Sequence, residues 1–401
     1  MAATSPSDAP RLGDRSLFPA LQPRVYLNHA GVSPPSEPVR RAAAAAVDDW
    51  ARRGGEAVTA ALETRVRLKQ GLSRLLGARP EELALVQGTS AGITAVAHCL
   101  PWRTGDRVIL FQGEFPANVT PWQRAADVFG LETAMLPLAT FERSPEEGLA
   151  ALEEELGRGA RLVAVSAVQF QTGLRMPLRR MAELTHRHGA EIFVDAVQAL
   201  GVVPLDAPTL GIDYLAGGAH KWLMGLLGAG VLYVAPGPAA ALRPAVAGWL
   251  SHEQAGRFLT EGPGHLRYDR PIRRRADLVE AGSMSEVSMS ALEASVAILL
   301  SLGVPAILVH VGHYLDRLEP ELVSRGFRSL RAREPERRSG ILSLLPPPGV
   351  EVTALRKALA ARGVACAIPD GVLRFSPHWP NAEEEIPQVL AAVEAALRDL
   401  R

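Results

Sequence analysis

Residues 161–198, RLVAVSAVQFQTGLRMPLRRMAELTHRHGAEIFVDAVQ, hold the pattern that decides the fold. RLVAVSAV is an apolar run of strand length. LRRMAELTHRHG spaces its apolar residues as a helix and ends on glycine, and EIFVDAVQ is a second apolar run. Two continuous apolar strands joined through a helix predict a parallel βαβ unit. The alternation continues on both sides. Upstream, LALVQG and DRVILFQG read as strands, LETRVRLKQGLSRLLG and TSAGITAVAHCL as helices; downstream, DYLAGGAHKW and GAGVLYVA add two strands. The chain from 62 to 235 therefore predicts an α/β fold with a doubly wound, mainly parallel sheet. After residue 290 come a long helix, a second at 309–325, short strands near 341–346 and 371–376, and a closing helix, NAEEEIPQVLAAVEAALRDL. That tail predicts a smaller C-terminal α+β domain. VYLNHAG (25–31) reads as a strand running into a loop, and PPSEPVRRAAAAAVDDWARR (34–53) as a helix with prolines at its head. The expected division is a loose Pro/Ser-rich arm at 1–24, a large domain at 25–290 and a small domain at 291–401, against which the N-terminal segment can pack.

Composition mostly excludes. A chain of 401 residues with 47% apolar and 21% charged residues is expected to be globular, and a net charge of +0 gives no pull toward nucleic acid or an anionic membrane. Two cysteines, Cys99 and Cys366, make neither a disulfide framework nor a four-ligand zinc site, so a reducing, cytoplasmic setting is expected. MAATSPSDAPRLGDRS lacks the apolar core of a signal peptide. The uncharged run 294–312 is nearly long enough to span a bilayer, but Gly303 and Pro305 break it into two expected packed helices. His186-x-His188 and His310-x-x-His313 have no carboxylate or cysteine set beside them, so no metal is expected. The basic residues stand out: of 43 Lys+Arg, only Lys69, Lys221 and Lys357 are lysines. Lys69 and Lys357 lie in charged helices. Lys221 lies in the apolar stretch GGAHKWLMGLLGAG, where an amine can do what a guanidinium cannot.

Ligands of open α/β sheets sit at the carboxyl ends of strands, and four places of that kind carry polar residues. Gln87-Gly88-Thr89-Ser90-Ala91-Gly92 follows a strand and opens a helix, an anion cradle whose ordinary alternative is a simple N-cap. It also matches G-x-S-x-G, which would make Ser90 a hydrolase nucleophile. Asp195 ends a buried strand, where it can pair with a protonated ring nitrogen or merely cap the next helix, with Gln198 three residues on. His220-Lys221 follows a strand; desolvation lowers a lysine pKa and frees the amine for a Schiff base, whereas the ordinary lysine is a surface residue. Arg374 has the planar fork suited to a carboxylate, though most arginines in so arginine-rich a chain make surface contacts. Phosphate cradle, ring-nitrogen acid, Schiff-base lysine and carboxylate clamp together match pyridoxal phosphate acting on an amino acid.

YLNHAG, QGTSAGI, GEFPAN, VDAVQALG, GGAHKWL, EAGSMS and LRFSPHWPN also resemble, in order and spacing from Tyr26 to Asn381, the class V aminotransferase family. That resemblance implies a fold-type I pyridoxal 5′-phosphate enzyme, a homodimer with shared active sites and a small-molecule amino-acid substrate, with no nucleic-acid or membrane partner. It implies Lys221 as the aldimine lysine, Asp195 as the partner of the pyridine nitrogen, and Gln198 as donor to the ring 3′ oxygen. Thr89, Ser90 and His220 would bind phosphate, Ser283 would reach the phosphate of the neighbouring subunit, and Phe115 would stack on the ring. Arg374 would take the substrate carboxylate; Ala30 and Gln171, with Gln169 and Arg175 nearby, would border the substrate.

The departures from the family pattern point away from its cysteine desulfurases. Phe115 stands where those enzymes place a histidine, Pro369-Asp370-Gly371 replaces their cysteine-bearing loop, and Cys366 in GVACAI reads as core. Gly218 stands where a phosphate-binding hydroxyl is common. The implied reaction passes through an external aldimine and α-proton abstraction to β-elimination of the C–S lyase type, with transamination or epimerisation as alternatives. The rival of another class is a serine hydrolase built on Ser90, with Asp213 and His265 as its other members.

Overall fold

The structure is a computed structural model that describes residues 9–400. Its centre is a seven-stranded sheet. In chain order the strands are β2 (Leu83–Val86), β3 (Arg107–Gln112), β4 (Glu132–Pro137), β5 (Leu162–Ser166), β6 (Glu191–Asp195), β7 (Tyr214–Gly218) and β8 (Gly230–Val234), after a short β1 (Val25–Tyr26) outside it. They lie side by side as β2-β8-β7-β6-β5-β3-β4, and only β8 runs against its neighbours. The predicted α/β architecture with a mainly parallel sheet is the one observed.

Both faces of the sheet are buried, and the side chains alternate between them with the two-residue strand period. Ile109, Phe111, Val163, Val165, Ile192 and Val194 enter one core; Val108, Leu110, Leu162, Ala164 and Phe193 enter the other. This is why those strands read as unbroken apolar runs. β4 escapes that reading because it is an edge strand and most of its side chains, Glu132 and Thr133 among them, are exposed.

The apolar run 294–312 divides as expected. One helix spans Glu286–Leu302 and the next Val304–Ser324, bent by 77° at Gly303, and no single helix among the described residues is long and apolar enough to cross a membrane. Beyond them, β9 (Arg328–Ser329), β10 (Leu342–Leu345) and β12 (Leu373–Phe375) form an antiparallel sheet in the order β12-β10-β9, and the helix Ile386–Asp399 ends the chain. β11 (Val364–Ala365) pairs in parallel with β1, so the first strand of the chain joins its C-terminal part.

Residues 1–8 of the expected loose arm lie outside the described residues; 9–24 are not loose. Leu17 and Phe18 are buried, the Phe18 ring lies 5.4 Å from that of Trp379, and the Arg15 guanidinium donates to the Leu21, Pro23 and Arg24 carbonyls. An apolar pair in the segment, unread against its Pro/Ser content, accounts for the anchoring.

Two glycines let the chain pass close beside β7. Gly201 has φ +110°, and a Cβ there would sit 2.3 Å from the Trp222 carbonyl oxygen. A Cβ on Gly230 would lie 2.5 Å from the Gly217 carbonyl oxygen and 2.9 Å from the Gly88 Cα. Gly201→Ala therefore has neither a relaxed backbone nor space. It is expected to cost about 2–3 kcal/mol, read as a lower denaturation midpoint by circular dichroism; an unchanged midpoint would contradict the close approach.

Candidate active site

The carboxyl ends of β2, β3, β5, β6 and β7 converge on a cavity of about 740 Å³. Its wall brings together Ala30, Thr89, Ser90, Phe115, Asp195, Gln198, His220, Lys221 and Arg374, residues as far apart in sequence as 30 and 374. Each arrives by a simple local rule. Thr89 and Ser90 open the helix Thr89–Cys99 directly after β2, so unpaired helix N–H groups face the space. Asp195 is the last residue of β6; Lys221 lies three residues beyond the end of β7.

The turn that carries Lys221 is held on every side. The Ala219 carbonyl accepts from Gly225 N–H at 2.9 Å, and the Lys221 carbonyl from Met224 N–H at 2.9 Å, with Met224 in the left-handed region at φ 53°. The His220 carbonyl accepts from Ser33 N–H at 2.8 Å. His378 Nδ1 accepts from Trp379 N–H at 2.7 Å, so its Nε2 carries the proton and donates to the Trp222 carbonyl at 2.8 Å. Burial holds that imidazole neutral, its pKa pushed down to about 4. Trp222 Nε1 donates to Gln198 Oε1 at 2.8 Å, and Gln198 Nε2 donates to the Ala30 carbonyl at 3.1 Å. The Lys221 turn, Gln198 and the loop at Ala30 thus form one hydrogen-bonded frame.

Electrostatics follow from burial. Lys221 is pushed down to about 8, mainly by desolvation and further by Arg374, with the Asp195 carboxylate opposing. Its Nζ lies 5.3 Å from the centre of the Phe115 ring. Asp195 is 1% exposed; burial pushes its carboxyl up to about 6 against the opposing effects of Val197 N–H, at 2.9 Å, and Lys221. Burial also pushes Arg374 down to about 10. The Arg374 Nη1 donates to the Phe170 carbonyl at 2.6 Å, while its Nε has no partner. His220 is lowered, first by burial and then by Lys221. The Thr89 hydroxyl is buried without a partner at the cavity wall.

Gln171, Gln169 and Arg175, expected to border the substrate, do not line the cavity. Gln171 Nε2 reaches Asp370, at 3.3 Å from the carbonyl and 3.4 Å from Oδ2. Gln169 is buried beneath the wall, with Nε2 on Glu114 Oε1 at 3.2 Å. Between them Phe170 turns into the cavity, an orientation that no periodicity in an irregular loop reveals. Ser283 lines a separate cavity of about 450 Å³ that shares Gln87, Ser90 and Ala91 with the first. The hydrolase constellation is not assembled. Asp213 Oδ2 meets His186 Nε2 at 2.9 Å and accepts from Ile192 N–H at 2.8 Å, and neither Asp213 nor His265 lines the cavity beside Ser90. Cys366 is buried, its thiol pushed up to about 12.

Two features escaped the sequence reading. Phe170 is one. The other is Glu114, pushed up to about 7 mainly by burial although it accepts from Ser166 and Gln169. A carboxylate directly after an apolar strand was the available signal, overshadowed by Phe115 beside it.

The family model described as aminotransferase class-V matches residues 25–386. The uncharacterized aminotransferase YcbU of Bacillus subtilis (strain 168) is 27% identical over 385 residues, spanning 95% of this chain and 96% of that protein. Isopenicillin N epimerase of Streptomyces clavuligerus is 30% identical over 337 residues, spanning 82% and 83%. Among solved structures, a mutant of C-DES with glycine covalently linked to its PLP cofactor superposes with TM-score 0.86 at 23% identity, covering 95% of this chain and 98% of that one. A structure of the cystine C–S lyase C-DES with its reaction product cysteine persulfide superposes with TM-score 0.85 at 22% identity, covering 94% of this chain and 98% of that one.

The charge environment of Lys221 is testable in the free protein. Modification of Lys221 by an amine-reactive reagent, followed by peptide mass spectrometry across pH, is expected to turn on near pH 8. Asp195→Asn removes the charge that favours the ammonium form and should move that midpoint to lower pH. Arg374→Leu removes a repelling cation and should move it higher.

Proposed function

The chain belongs to the class V aminotransferase family of pyridoxal-phosphate enzymes, and on that premise we propose that it binds pyridoxal 5′-phosphate at Lys221 and acts on an amino acid by α-proton removal and β-elimination, as a C–S lyase does. The observation that carries the reading is a desolvated lysine amine sharing one cavity with a buried aspartate, a buried arginine and a helix N-terminus.

The cavity suits the cofactor. The unpartnered Thr89 hydroxyl, Ser90, His220 and the opening N–H groups of the helix at Thr89 suit a phosphate. A Cβ on Gly218 would come within 3.1 Å of the Thr89 Oγ1, so glycine leaves that hydroxyl free to turn to a ligand. Asp195 suits a protonated ring nitrogen, a cation that would draw its carboxyl back to the charged form. Gln198 has spent one amide N–H on Ala30, which leaves the second for the ring 3′ oxygen. Phe115 suits the ring face. Bound there, pyridoxal phosphate supplies a sink for the electron pair left at the substrate α-carbon.

The protein's own groups do the rest. Lys221, with a pKa near 8, is partly neutral at physiological pH, so it can act first as the attachment point and then as the base that takes the α-proton. Arg374 has a free Nε and one N–H fork for the substrate carboxylate, since Nη1 is committed to Phe170. That grip sets the α-proton toward Lys221. Phe115 cannot carry a proton, so Lys221 serves alone, which suits elimination, where the same ammonium protonates the leaving group. Likeness to isopenicillin N epimerase favours epimerisation as a second reading.

We also propose a homodimer in which Ser283 reaches the phosphate of the neighbouring subunit. The exposed apolar residues Val47, Trp50, Val58, Leu62 and Val66 on the helices Glu37–Arg53 and Ala57–Leu76 suit such an interface. A cytoplasmic setting agrees with the two free thiols.

Purified protein is expected to be yellow, and borohydride should fix the cofactor mass on the Lys221 peptide; Lys221→Ala should lose both that adduct and turnover. Colourless protein that no added cofactor colours would overturn the reading. A panel of amino acids with product analysis separates the chemistries: pyruvate and ammonia for elimination, a keto acid with aminated cofactor for transamination, racemised substrate for epimerisation. Asp195→Asn should lower kcat about a hundredfold or more, because the ring nitrogen loses its counter-charge.

A further inference from the structure

Glu114 lies just past β3 and is 8% exposed. Its partners are neutral. Oε1 accepts from Ser166 N–H at 2.7 Å and from Gln169 Nε2 at 3.2 Å, and Oε2 accepts from the Ser166 hydroxyl. It thereby joins the end of β3 to the end of β5, where the strand order of the sheet reverses. The next residue on each side points the other way. Phe115 and Phe170 meet edge to face with ring centres 5.3 Å apart, and both line the cavity.

The backbone at Phe170 matters because of what it holds. Arg374 has its Nη1 on the Phe170 carbonyl and its Nε without a partner, so that carbonyl orients the guanidinium. The far side of the loop is tied elsewhere: Ser343 Oγ donates to the Gln171 carbonyl, Gly173 N–H to the Gln169 carbonyl at 2.9 Å, and Ser339 Oγ to the Gly173 carbonyl at 2.6 Å. On the near side, Gln169 N–H donates to the Leu174 carbonyl at 2.9 Å, and the side-chain tie is Glu114.

We propose that Glu114 is a positioning residue for Arg374: by binding Ser166 and Gln169 it fixes the Phe170 carbonyl, and that carbonyl aims the guanidinium at the carboxylate of the substrate. This rests on the reading of Arg374 as the carboxylate clamp. Glu114 touches neither substrate nor cofactor; it acts through Gln169 and Phe170. The buried pair Glu114–Gln169 and the cavity-facing pair Phe115–Phe170 are then two sides of one clamp.

The test compares an amino acid with the amine obtained by removing its carboxyl. Alanine, which carries no β-leaving group to eliminate, and ethylamine are titrated into the holoenzyme, and the change in cofactor absorbance gives each Kd. Glu114→Ala is expected to weaken the amino acid about tenfold or more, the scale of a lost charged hydrogen bond, and to leave the amine unchanged. Glu114→Gln should restore most of the loss, since its amide oxygen still accepts from Ser166 N–H and its amide nitrogen donates to the Ser166 hydroxyl. Should Glu114→Ala not fold, Gln169→Leu cuts the same link one residue from Phe170 and should show the same split. Wild-type affinity for the amino acid in Glu114→Ala, or equal losses for acid and amine, would overturn the proposal. A wild-type holoenzyme whose absorbance answers to no amino acid would instead sink the functional reading, and the proposal with it.

Discussion

Lys221, Asp195 and Arg374 put two cations and one anion into a cavity where burial moves each toward its neutral form: the amine down to about 8, the carboxyl up to about 6, the guanidinium down to about 10. Charges held that way repay little as salt bridges, because desolvation offsets their attraction. They gain when an anion arrives. A cavity with more positive than negative charge, a helix N-terminus and an unpartnered hydroxyl is suited to phosphate and carboxylate together. The same desolvation that costs stability makes the amine available as a nucleophile and base.

Holding such groups apart from water requires neutral supports, and the fold supplies them from distant segments. The loop at Ala30, the Gln198 amide, the Trp222 indole and the His378 imidazole make a continuous set of hydrogen bonds around the Lys221 turn. None of these supports is charged: burial keeps His378 neutral, and its one N–H is spent on the Trp222 carbonyl. A charged support would change the potential at the amine, whereas a neutral one fixes its place alone. Close approach at Gly201 and Gly230 completes the frame, because side chains there would collide with the backbone beside the cavity.

Strands buried on both faces announce themselves as apolar runs, so β5 and β8 were legible to within a residue or two and β6 at its start, though it ends three residues before the apolar run does; polar residues that follow such strands converge on one cavity. β4 was not legible because an edge strand needs no apolar face on its exposed side. The site was legible where a residue follows an element end: Thr89 after β2, Asp195 at the end of β6, Lys221 beyond β7. In the irregular loop after β5 that rule fails. Gln169 turns under the wall, Phe170 into the cavity and Gln171 toward Asp370, according to which hydrogen bonds each backbone group finds.

By itself the amino-acid sequence determined the layer architecture, through strand and helix periodicity, and singled out Lys221 as the lysine that an arginine-rich chain keeps in an apolar stretch. Tertiary structure alone decided the rest. Arg374 joins Lys221 because β12 pairs with β10 and its side chain finds the Phe170 carbonyl, a contact across 204 residues. Ser90 stands beside no hydrolase partner because Asp213 is spent on His186 and Ile192. Glu114 becomes a buried clamp because β3 and β5 are neighbours in the sheet though another strand separates them in the chain. Periodicity is a local property of the backbone and can be read along the chain; contacts of this kind depend on strand order, which the chain settles only when it folds.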